Sequence, residues 1–247
     1  MKNQNSFIDT IQNFKTYSQL YEDLILFYVF HDVKNGFYID IGANDPNIKT
    51  VTKFFYLNGW NGINIEPLPD KYDLLTKFRP KDINLKIGVG KNKGIATLYL
   101  SGTCSTINKK FSQIKRKKIN ITIDTMSNVC KKYIKPDIEI EFCKIDVEGE
   151  EKNVLLGYNF EKYRPKIFII ESTFPGTNIS CHNEWEYILL KHDYSFVYQY
   201  KINRFYIDNK RKNLERKFWN IDKYINLYKK MHLKKKEKKK HSLFITK

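Results

Sequence analysis

The sequence predicts an α/β protein with a mostly parallel central sheet, helices on both faces and an antiparallel closing hairpin. Short apolar runs alternate with helix-like segments over most of the 247 residues, and this alternation is typical of a parallel sheet covered by helices. Towards the C-terminus two strand-like runs, residues 194–200 and 204–207, are separated by only a short turn. Strands joined in this way pair antiparallel.

The centre of this prediction is a strand–turn–helix–strand unit in residues 36–67. An apolar strand at 37–41 is followed by helical spacing at 50–57 and by a second strand at 62–65. In open α/β sheets the ligand crevice lies outside the C-terminal ends of the strands. The unit therefore predicts a nucleoside-binding half of the fold.

The turn after the first strand reads Asp40-Ile41-Gly42-Ala43-Asn44. Small residues there allow a ligand to approach the backbone, but the GxGxxG pattern that holds a dinucleotide pyrophosphate is missing. S-adenosylmethionine, with one carboxylate and a sulfonium, fits a shorter turn, with Asp40 supplying nearby negative charge. An ordinary strand-to-helix turn explains the same residues equally well.

Glu66 follows the second strand directly. A carboxylate at this strand end can accept hydrogen bonds from both ribose hydroxyls, at roughly 1.5–3 kcal/mol per bond. Its separation from Asp40 is that of one βαβ unit. Since a nicotinamide enzyme uses the same acid, Glu66 predicts a nucleoside without choosing the cofactor.

Further acids follow later strands. Asp146 and Glu148 come after the run 138–146, Glu171 ends the run 166–171, and His182 lies a short loop beyond. Acids that share one rim can serve as a general base or hold Mg²⁺. Helix caps, rim salt bridges and a surface histidine are the structural alternatives for the same residues.

Composition favours one sizeable domain. We expect a leader at 1–17, a main domain at 18–208, and an amphipathic helix with a basic tail at 209–247. No apolar run is long enough for a transmembrane helix, and the N-terminus lacks a signal-peptide pattern. The four cysteines are scattered (Cys104, Cys130, Cys143 and Cys181). A reducing, cytoplasmic setting with packed thiols is the expectation.

The net charge of +17 is concentrated in residues 208–247, which hold 15 lysines and arginines and 4 acids. Apolar residues in the same region follow a helical stripe (Leu214, Phe218, Ile221, Ile225 and Tyr228). Residues 234–241 are basic and are predicted to fray. This region opens two alternatives: an enzyme that acts on RNA, which a basic loop at 109–118 would also suit, and docking on an anionic membrane or acidic partner.

Several local predictions complete the pattern. Ser18 is expected to cap a helix that runs to Phe30, and Asp124 to cap a later helix. Residues 83–89 are predicted to form one strand, and residues 101–120 a long exposed loop that carries six basic residues at 109–118.

Together, the motifs resemble those of the FkbM-type methyltransferases over residues 17–207. The matching strings are YSQLYED at 17–23, FYIDIGANDP at 37–46, GWNGINIEP at 59–67, RPKD at 79–82, KIDVEGEE at 144–151 and NRFYI at 203–207. In one departure, Lys201 and Ile202 stand where the family often has glycine. The resemblance implies a class I, Rossmann-like fold, S-adenosylmethionine as methyl donor, and O-methylation of a sugar or glycan hydroxyl.

The resemblance also implies roles for individual residues. Cofactor contacts are expected at the turn (Asp40, Gly42 and Asn44), at the ribose (Glu66), near the methionine end or acceptor (Gln19 and Glu22), at the adenine (Asp82) and at the transfer site (Asp146 and Glu148). Of the candidate bases we favour Asp146, followed by Glu171 and His182. Metal dependence stays open, as does a nicotinamide oxidoreductase, which the missing GxGxxG disfavours.

Overall fold

The computed structural model describes residues 11, 13–101, 105–111 and 117–245, and it describes residues 234–245 by their backbone only. Seven strands form its central sheet. Five of them are parallel in the order β3-β2-β1-β7-β8. Their bounds are β1 Phe37–Ile41, β2 Asn61–Ile65, β3 Ile83–Leu85, β7 Phe142–Ile145 and β8 Ile167–Glu171. The predicted mostly parallel sheet is confirmed.

The sheet is completed by the predicted hairpin. Strands β9 (Tyr194–Tyr200) and β10 (Asn203–Asp208) pair antiparallel, and β10 also pairs antiparallel with β8. Lys201, in the turn, has a positive φ of 55°. A left-handed residue explains why glycine is common there in the family, and here a lysine adopts that conformation.

Helices cover both faces of the sheet, as predicted. On one face lie α4 Met126–Tyr133, α5 Glu151–Leu156 and α6 Glu186–Lys191, which bury Met126, Val154 and Leu189 against the strands. On the other lie α1 Glu22–Phe30, α2 Lys53–Leu57, α7 Glu215–Phe218 and α8 Ile221–Ile245. Helix α3 (Pro69–Phe78) joins β2 to β3 and has proline in its first turn, where the missing N–H costs nothing.

The predicted single strand at 83–89 is wrong, because it divides between two sheets. Its first half is β3, and its second half is β4 (Gly88–Val89), which pairs with β6 (Lys118–Asp124). Strand β5 (Gly94–Tyr99) completes this small sheet by pairing antiparallel with β6. The chain changes sheets at 86–87, and an apolar run cannot show which neighbour each half will pair with.

The predicted loop at 101–120 is shorter, because β6 begins at Lys118. Thr106 pairs back onto Tyr99. Residues 102–104 and 112–116, with Cys104 and part of the basic run, lie outside the described residues. The other three cysteines are free and buried, as expected.

Two predictions near helix starts are corrected. Helix α1 begins at Glu22 and not beside Ser18, whose hydroxyl instead donates to Asp23 Oδ1 at 2.7 Å. Helix α4 is capped by Thr125, one residue after Asp124, through a 3.2 Å bond from Asn128 N. Both errors are local, because neighbouring polar side chains compete for the same free amides.

The predicted leader is described only from residue 11, without residue 12. Ile11 and Phe14 are buried among the aromatic residues that pack on α1 and α2. The described end of the predicted leader, with Ile11 and Phe14, is therefore packed against the main domain.

The C-terminal stripe is buried as predicted, from Leu214 through Tyr228. Helix α8 continues to Ile245, so the fraying predicted for 234–241 is not what the backbone shows. Among the described residues, the search found no helix long and apolar enough to cross a membrane.

Candidate active site

A cleft of about 720 Å³ opens at the C-terminal edge of the parallel strands. This is the edge at which open α/β sheets bind their ligands. Its lining includes most of the predicted site residues (Gln19, Glu22, Asp40, Gly42, Asn44, Glu66, Asp146, Glu148 and Glu171). The small sheet and the loop after β5 supply an apolar wall (Val89, Leu98, Ile107, Ile121 and Ile123).

The backbone around the cleft is unusual. Of the six non-glycine residues with positive φ in the described part of the chain, four line the cleft (Asn44, Lys49, Glu148 and Lys201). Such conformations cost of order 1–3 kcal/mol each and cluster at functional sites. Their concentration at the cleft marks it as the functional surface of the molecule.

Gly42 has a packing role that the sequence did not reveal. With φ at +75°, a Cβ built on it would lie 1.9 Å from the carbonyl oxygen of Asp146. The turn after β1 therefore touches the turn after β7, and glycine is required for that approach. The ligand contact predicted at Gly42 would therefore be made by its backbone atoms.

Glu66 is held rigidly at the end of β2. Its Oε2 accepts from Asn44 N at 2.8 Å and its Oε1 accepts from Leu68 N at 2.9 Å. Burial raises the pKa of this carboxyl, and the two backbone bonds partly offset the rise. Since each carboxylate oxygen has two lone pairs, both can still accept one further hydrogen bond from the cleft.

Lys144 connects the predicted cofactor turn at Asp40 with the predicted transfer site at Asp146. It lies on β7 in register with Asp40 on β1. Its ammonium donates to the carbonyl of Gly42 at 3.1 Å and lies 3.4 Å from Asp40 Oδ1 and 3.3 Å from Asp146 Oδ2. Burial by itself lowers the pKa of Lys144, but the charges of Asp146 and Asp40 outweigh it and raise that pKa above its ordinary value.

Asp146, Glu148 and Glu171 converge at the rim, as their places after β7 and β8 predicted. Carboxylate oxygens of the three lie within 4.8 Å of one another. Burial, followed by the charge of Asp146 and a hydrogen bond to it, raises the pKa of Glu171 to about 10. The raised pKa favours the protonated form of Glu171 at neutral pH, and Asp146 is its hydrogen-bond partner.

Glu22 and Asn203 pair beside the cleft. Asn203 Nδ2 donates to Glu22 Oε1 at 2.7 Å, while Leu20 N donates to Glu22 Oε2 at 2.8 Å. Burial raises the pKa of Glu22. The pair joins the start of α1 to the start of β10. This contact gives the NRFYI string the role that its sequence alone did not indicate.

Asp82 does not line the cleft, and its prediction as an adenine contact is corrected. It precedes β3, at the opposite edge of the sheet, and accepts from Tyr38 Oη at 2.6 Å, Gly62 N at 2.9 Å and Asn64 Nδ2 at 2.9 Å. These bonds tie β1, β2 and β3 together. The Asp82 carboxylate therefore holds these strands together and does not face the cleft.

His182 also lies outside the residues that line the cleft, so its prediction as a base is corrected. Its Nδ1 is 2.6 Å from Ser180 Oγ, and its Nε2 is 3.9 Å from Glu186 Oε2. Glu186 in turn accepts from Arg204 and Tyr206. His182 therefore belongs to a polar network on α6 and β10.

Two residues that sequence reasoning missed position the site. Lys144 was detectable as a charged residue inside an otherwise apolar strand. Arg79 is buried and donates to the carbonyl of Pro46 at 2.7 Å and, more weakly, to that of Thr52 at 3.4 Å. It anchors the loop between β1 and α2. In the sequence, Arg79 could have been noticed as the first residue of the family string RPKD at 79–82.

The chain was compared with known families and structures. The profile described as "Methyltransferase FkbM domain" matches residues 40–196, more than half of the chain. An FkbM methyltransferase structure from Methylobacillus flagellatus is 15% identical, with a TM-score of 0.46, over 73% of this chain and 47% of that one. A TehB-like SAM-dependent methyltransferase from Corynebacterium glutamicum is 8% identical, with a TM-score of 0.41, over 77% and 89%. This chain thus spans about half of the first structure. No curated protein sequence matches the chain.

Proposed function

Because the chain belongs to the FkbM methyltransferase family, we propose that it transfers a methyl group from S-adenosylmethionine to a hydroxyl of a sugar or glycan. The observation that supports the proposal best is Glu66, a buried carboxylate fixed at the end of β2 whose two oxygens retain accepting capacity toward the cleft.

The residues around Glu66 fit the proposed donor. Glu66 would accept from the two ribose hydroxyls, a pairing that a carboxylate with free lone pairs can make. The turn at 42–44 presents backbone rather than bulky side chains, and the apolar wall of the small sheet suits a flat base. Asp40 and Asp146 supply negative charge that favours a sulfonium.

The residue that we propose as the general base is Asp146. It is the carboxylate at the rim that receives a hydrogen bond from Glu171 and faces the ammonium of Lys144. Glu171, whose raised pKa favours its protonated form, would orient Asp146 and not remove the proton itself. Alignment of donor and hydroxyl would supply the larger share of catalysis, of order 7–11 kcal/mol.

A divalent ion remains a possible addition at Asp146, Glu148 and Glu171. Carboxylate oxygens suit Mg²⁺. In this chain, however, Lys144 and the proton of Glu171 already compensate part of the negative charge. In the proposed reaction, Asp146 therefore acts without a metal ion.

The acceptor that we propose is neutral and not RNA. Eight acidic side chains and four lysines line the described part of the cleft (Glu22, Asp40, Asp45, Glu66, Asp146, Glu148, Glu150 and Glu171; Lys49, Lys71, Lys144 and Lys201). An excess of negative charge lowers the local concentration of a polyanion. A sugar hydroxyl meets no such penalty.

The test is isothermal titration of the wild type with S-adenosylmethionine and with NADH. We expect binding of the first and not of the second. Glu66→Ala should weaken S-adenosylmethionine binding at least tenfold, since each lost charge-assisted bond contributes about 1.5–3 kcal/mol. Asp73→Ala, an exposed acid on α3, is the matched control and should bind as the wild type does.

Glu66 also binds two backbone amides, so its loss could disturb the fold. Glu66→Gln keeps one accepting oxygen, and thermal unfolding should show that it is folded. If Glu66→Gln and Asp73→Ala both bind S-adenosylmethionine like the wild type, the ribose contact is disproved. A labelled-methyl screen on neutral glycans, with and without EDTA, then tests the acceptor class and the metal.

A further inference from the structure

Helices α7 and α8 present a line of exposed residues on their outer side. Trp219 lies in the turn between the two helices, and Lys223, Lys230 and Leu233 follow on α8 at i, i+7 and i+10, which places these three on one helix face. Trp219 is 71% exposed and Leu233 is 60% exposed. We name these four residues the outer ridge. Their inner counterparts, Ile221, Ile225 and Tyr228, are buried against the body.

The helix continues beyond the outer ridge into the most basic part of the chain. Its backbone runs to Ile245, about 18 Å past Leu233 at 1.5 Å per residue. In the sequence, residues 234–240 contain six lysines and one glutamate. We name residues 234–240 the basic tail. No stripe of apolar residues accompanies it in the sequence, so nothing in its pattern calls for burial against the body.

We propose that the outer ridge and the basic tail together dock the protein on an anionic lipid surface. An exposed tryptophan suits the interface between water and lipid. Lysines flanking it on a helix, followed by a polybasic segment, match the pattern by which proteins bind anionic headgroups.

The chemistry of this surface fits lipid better than nucleic acid. Binding of single-stranded RNA uses aromatic side chains interleaved with cations, and the basic tail contains no aromatic residue. On the outer ridge, the apolar residues stand at the two ends with the lysines between them. That arrangement lets tryptophan and leucine enter the headgroup region while the lysines meet phosphates.

Helix α8, which carries most of the docking surface, passes close to the cleft. Lys229 Nζ donates to Tyr200 Oη at 2.9 Å and lies 5.4 Å from the centre of the Tyr21 ring. The neighbouring residues Leu20 and Lys201 line the cleft. Docking would therefore place the cleft close to acceptors carried on lipid, a consequence that rests on the proposed function.

Tryptophan fluorescence tests the docking directly. The chain has three tryptophans, and Trp60 and Trp185 are buried while Trp219 is exposed. We expect vesicles of phosphatidylcholine with 30% phosphatidylserine to shift the emission to shorter wavelength. Pure phosphatidylcholine vesicles should not do so, and 0.5 M salt should reverse the shift. Trp219→Phe should remove the spectral change while keeping most of the sedimentation with vesicles.

Charge variants separate specific docking from the general effect of net charge. Replacing the six tail lysines by glutamine should weaken cosedimentation with the anionic vesicles at least tenfold. The matched control replaces six exposed body lysines (Lys34, Lys77, Lys81, Lys91, Lys131 and Lys191) and should bind within twofold of the wild type. Trp219→Ala with Leu233→Ser should weaken binding several-fold.

Three outcomes would overturn the proposal. One is equal loss of binding in the tail variant and the body control. The second is no emission shift of Trp219 on anionic vesicles. The third is tight binding of an unstructured RNA without vesicle binding, which would assign the surface to nucleic acid. None of these three measurements uses S-adenosylmethionine. Failure of the docking proposal would therefore leave the methyltransferase proposal untouched.

Discussion

Lys144 is the residue on which the charges of the site depend. Asp40 is 1% exposed, and its Oδ1 has no hydrogen bond, only the ion pair with the ammonium at 3.4 Å. Its other oxygen accepts from Thr52 at 3.1 Å. A buried carboxylate that loses its counter-charge is strongly unfavourable. Lys144 therefore stabilises both the fold and the turn after β1 that lines the cleft.

Lys144→Met should lower the free energy of unfolding by about 3 kcal/mol, because it leaves Asp40 buried without a counter-charge. Urea unfolding measures the change. The double variant Asp40→Asn, Lys144→Met should recover part of the loss, since both charges are then gone. Additive losses in this cycle would show that the two residues do not interact.

Glu171 illustrates how a shared rim changes a carboxyl group. Its pKa is raised to about 10, first by burial and then by Asp146. A raised acid pKa stabilises the fold fully below the ordinary value of about 4.5, and that contribution is lost as the pH rises through 10. The raised pKa of Glu171 thus predicts that the protein becomes less stable as the pH rises above neutral.

Glu171→Gln should therefore be more stable than the wild type at pH 9, and close to it near pH 4.5. The difference should grow with pH by at most about 1.4 kcal/mol per unit. Urea unfolding at several pH values measures it. Glu184→Gln, an exposed acid nearby, is the control. If the free energy of unfolding varies with pH in the same way for the wild type and for Glu171→Gln, then Glu171 is ionised in the folded protein.

At the scale of elements, the C-terminal helix belongs to the core. Ile225 is 2% exposed and packs with residues of α1 and of the sheet. Sequence periodicity predicted this stripe because a helix buries one face at fixed spacing. The partner of that face could not be predicted, since periodicity contains no information on which surface covers it.

Ile225→Ala should cost about 2–5 kcal/mol of folding free energy, as large-to-small changes in a packed core do. The adjacent Asn226→Ala is exposed and should stay within about 0.5 kcal/mol of the wild type. Thermal or urea unfolding compares the two. Equal, small effects would mean that α8 does not pack on the domain in solution.

At the scale of the whole molecule, charge is segregated. The chain carries +17 overall, but its cleft is lined by more acids than lysines. The basic excess lies largely in the C-terminal region. A polyanion is therefore attracted to the molecule and disfavoured in the site.

An unstructured RNA should consequently bind to the basic surface without displacing S-adenosylmethionine. Its binding should weaken steeply with salt, while the affinity for S-adenosylmethionine stays constant when RNA is present. Titration calorimetry with and without RNA measures both. Competition between the two ligands would favour RNA as the acceptor over a neutral glycan.

Sequence patterns alone predicted the alternation of strands and helices, the mostly parallel sheet and the edge at which the acids gather, although they merged β3 and β4 into one strand. These follow from periodicity and from the rule that parallel strands end on one side. Asp40, Glu66, Asp146 and Glu171 were found because each lies at or next to the end of an apolar run.

The tertiary structure alone decided which of these groups face one another. The pairing of Lys144 with Asp40 and Asp146 depends on strand register, which local sequence does not fix. The exclusion of Asp82 and His182 depends on which edge or side of the sheet they occupy. The proton on Glu171 depends on burial beside a second acid. Each is a distance between residues far apart in the chain, and only folding brings them together.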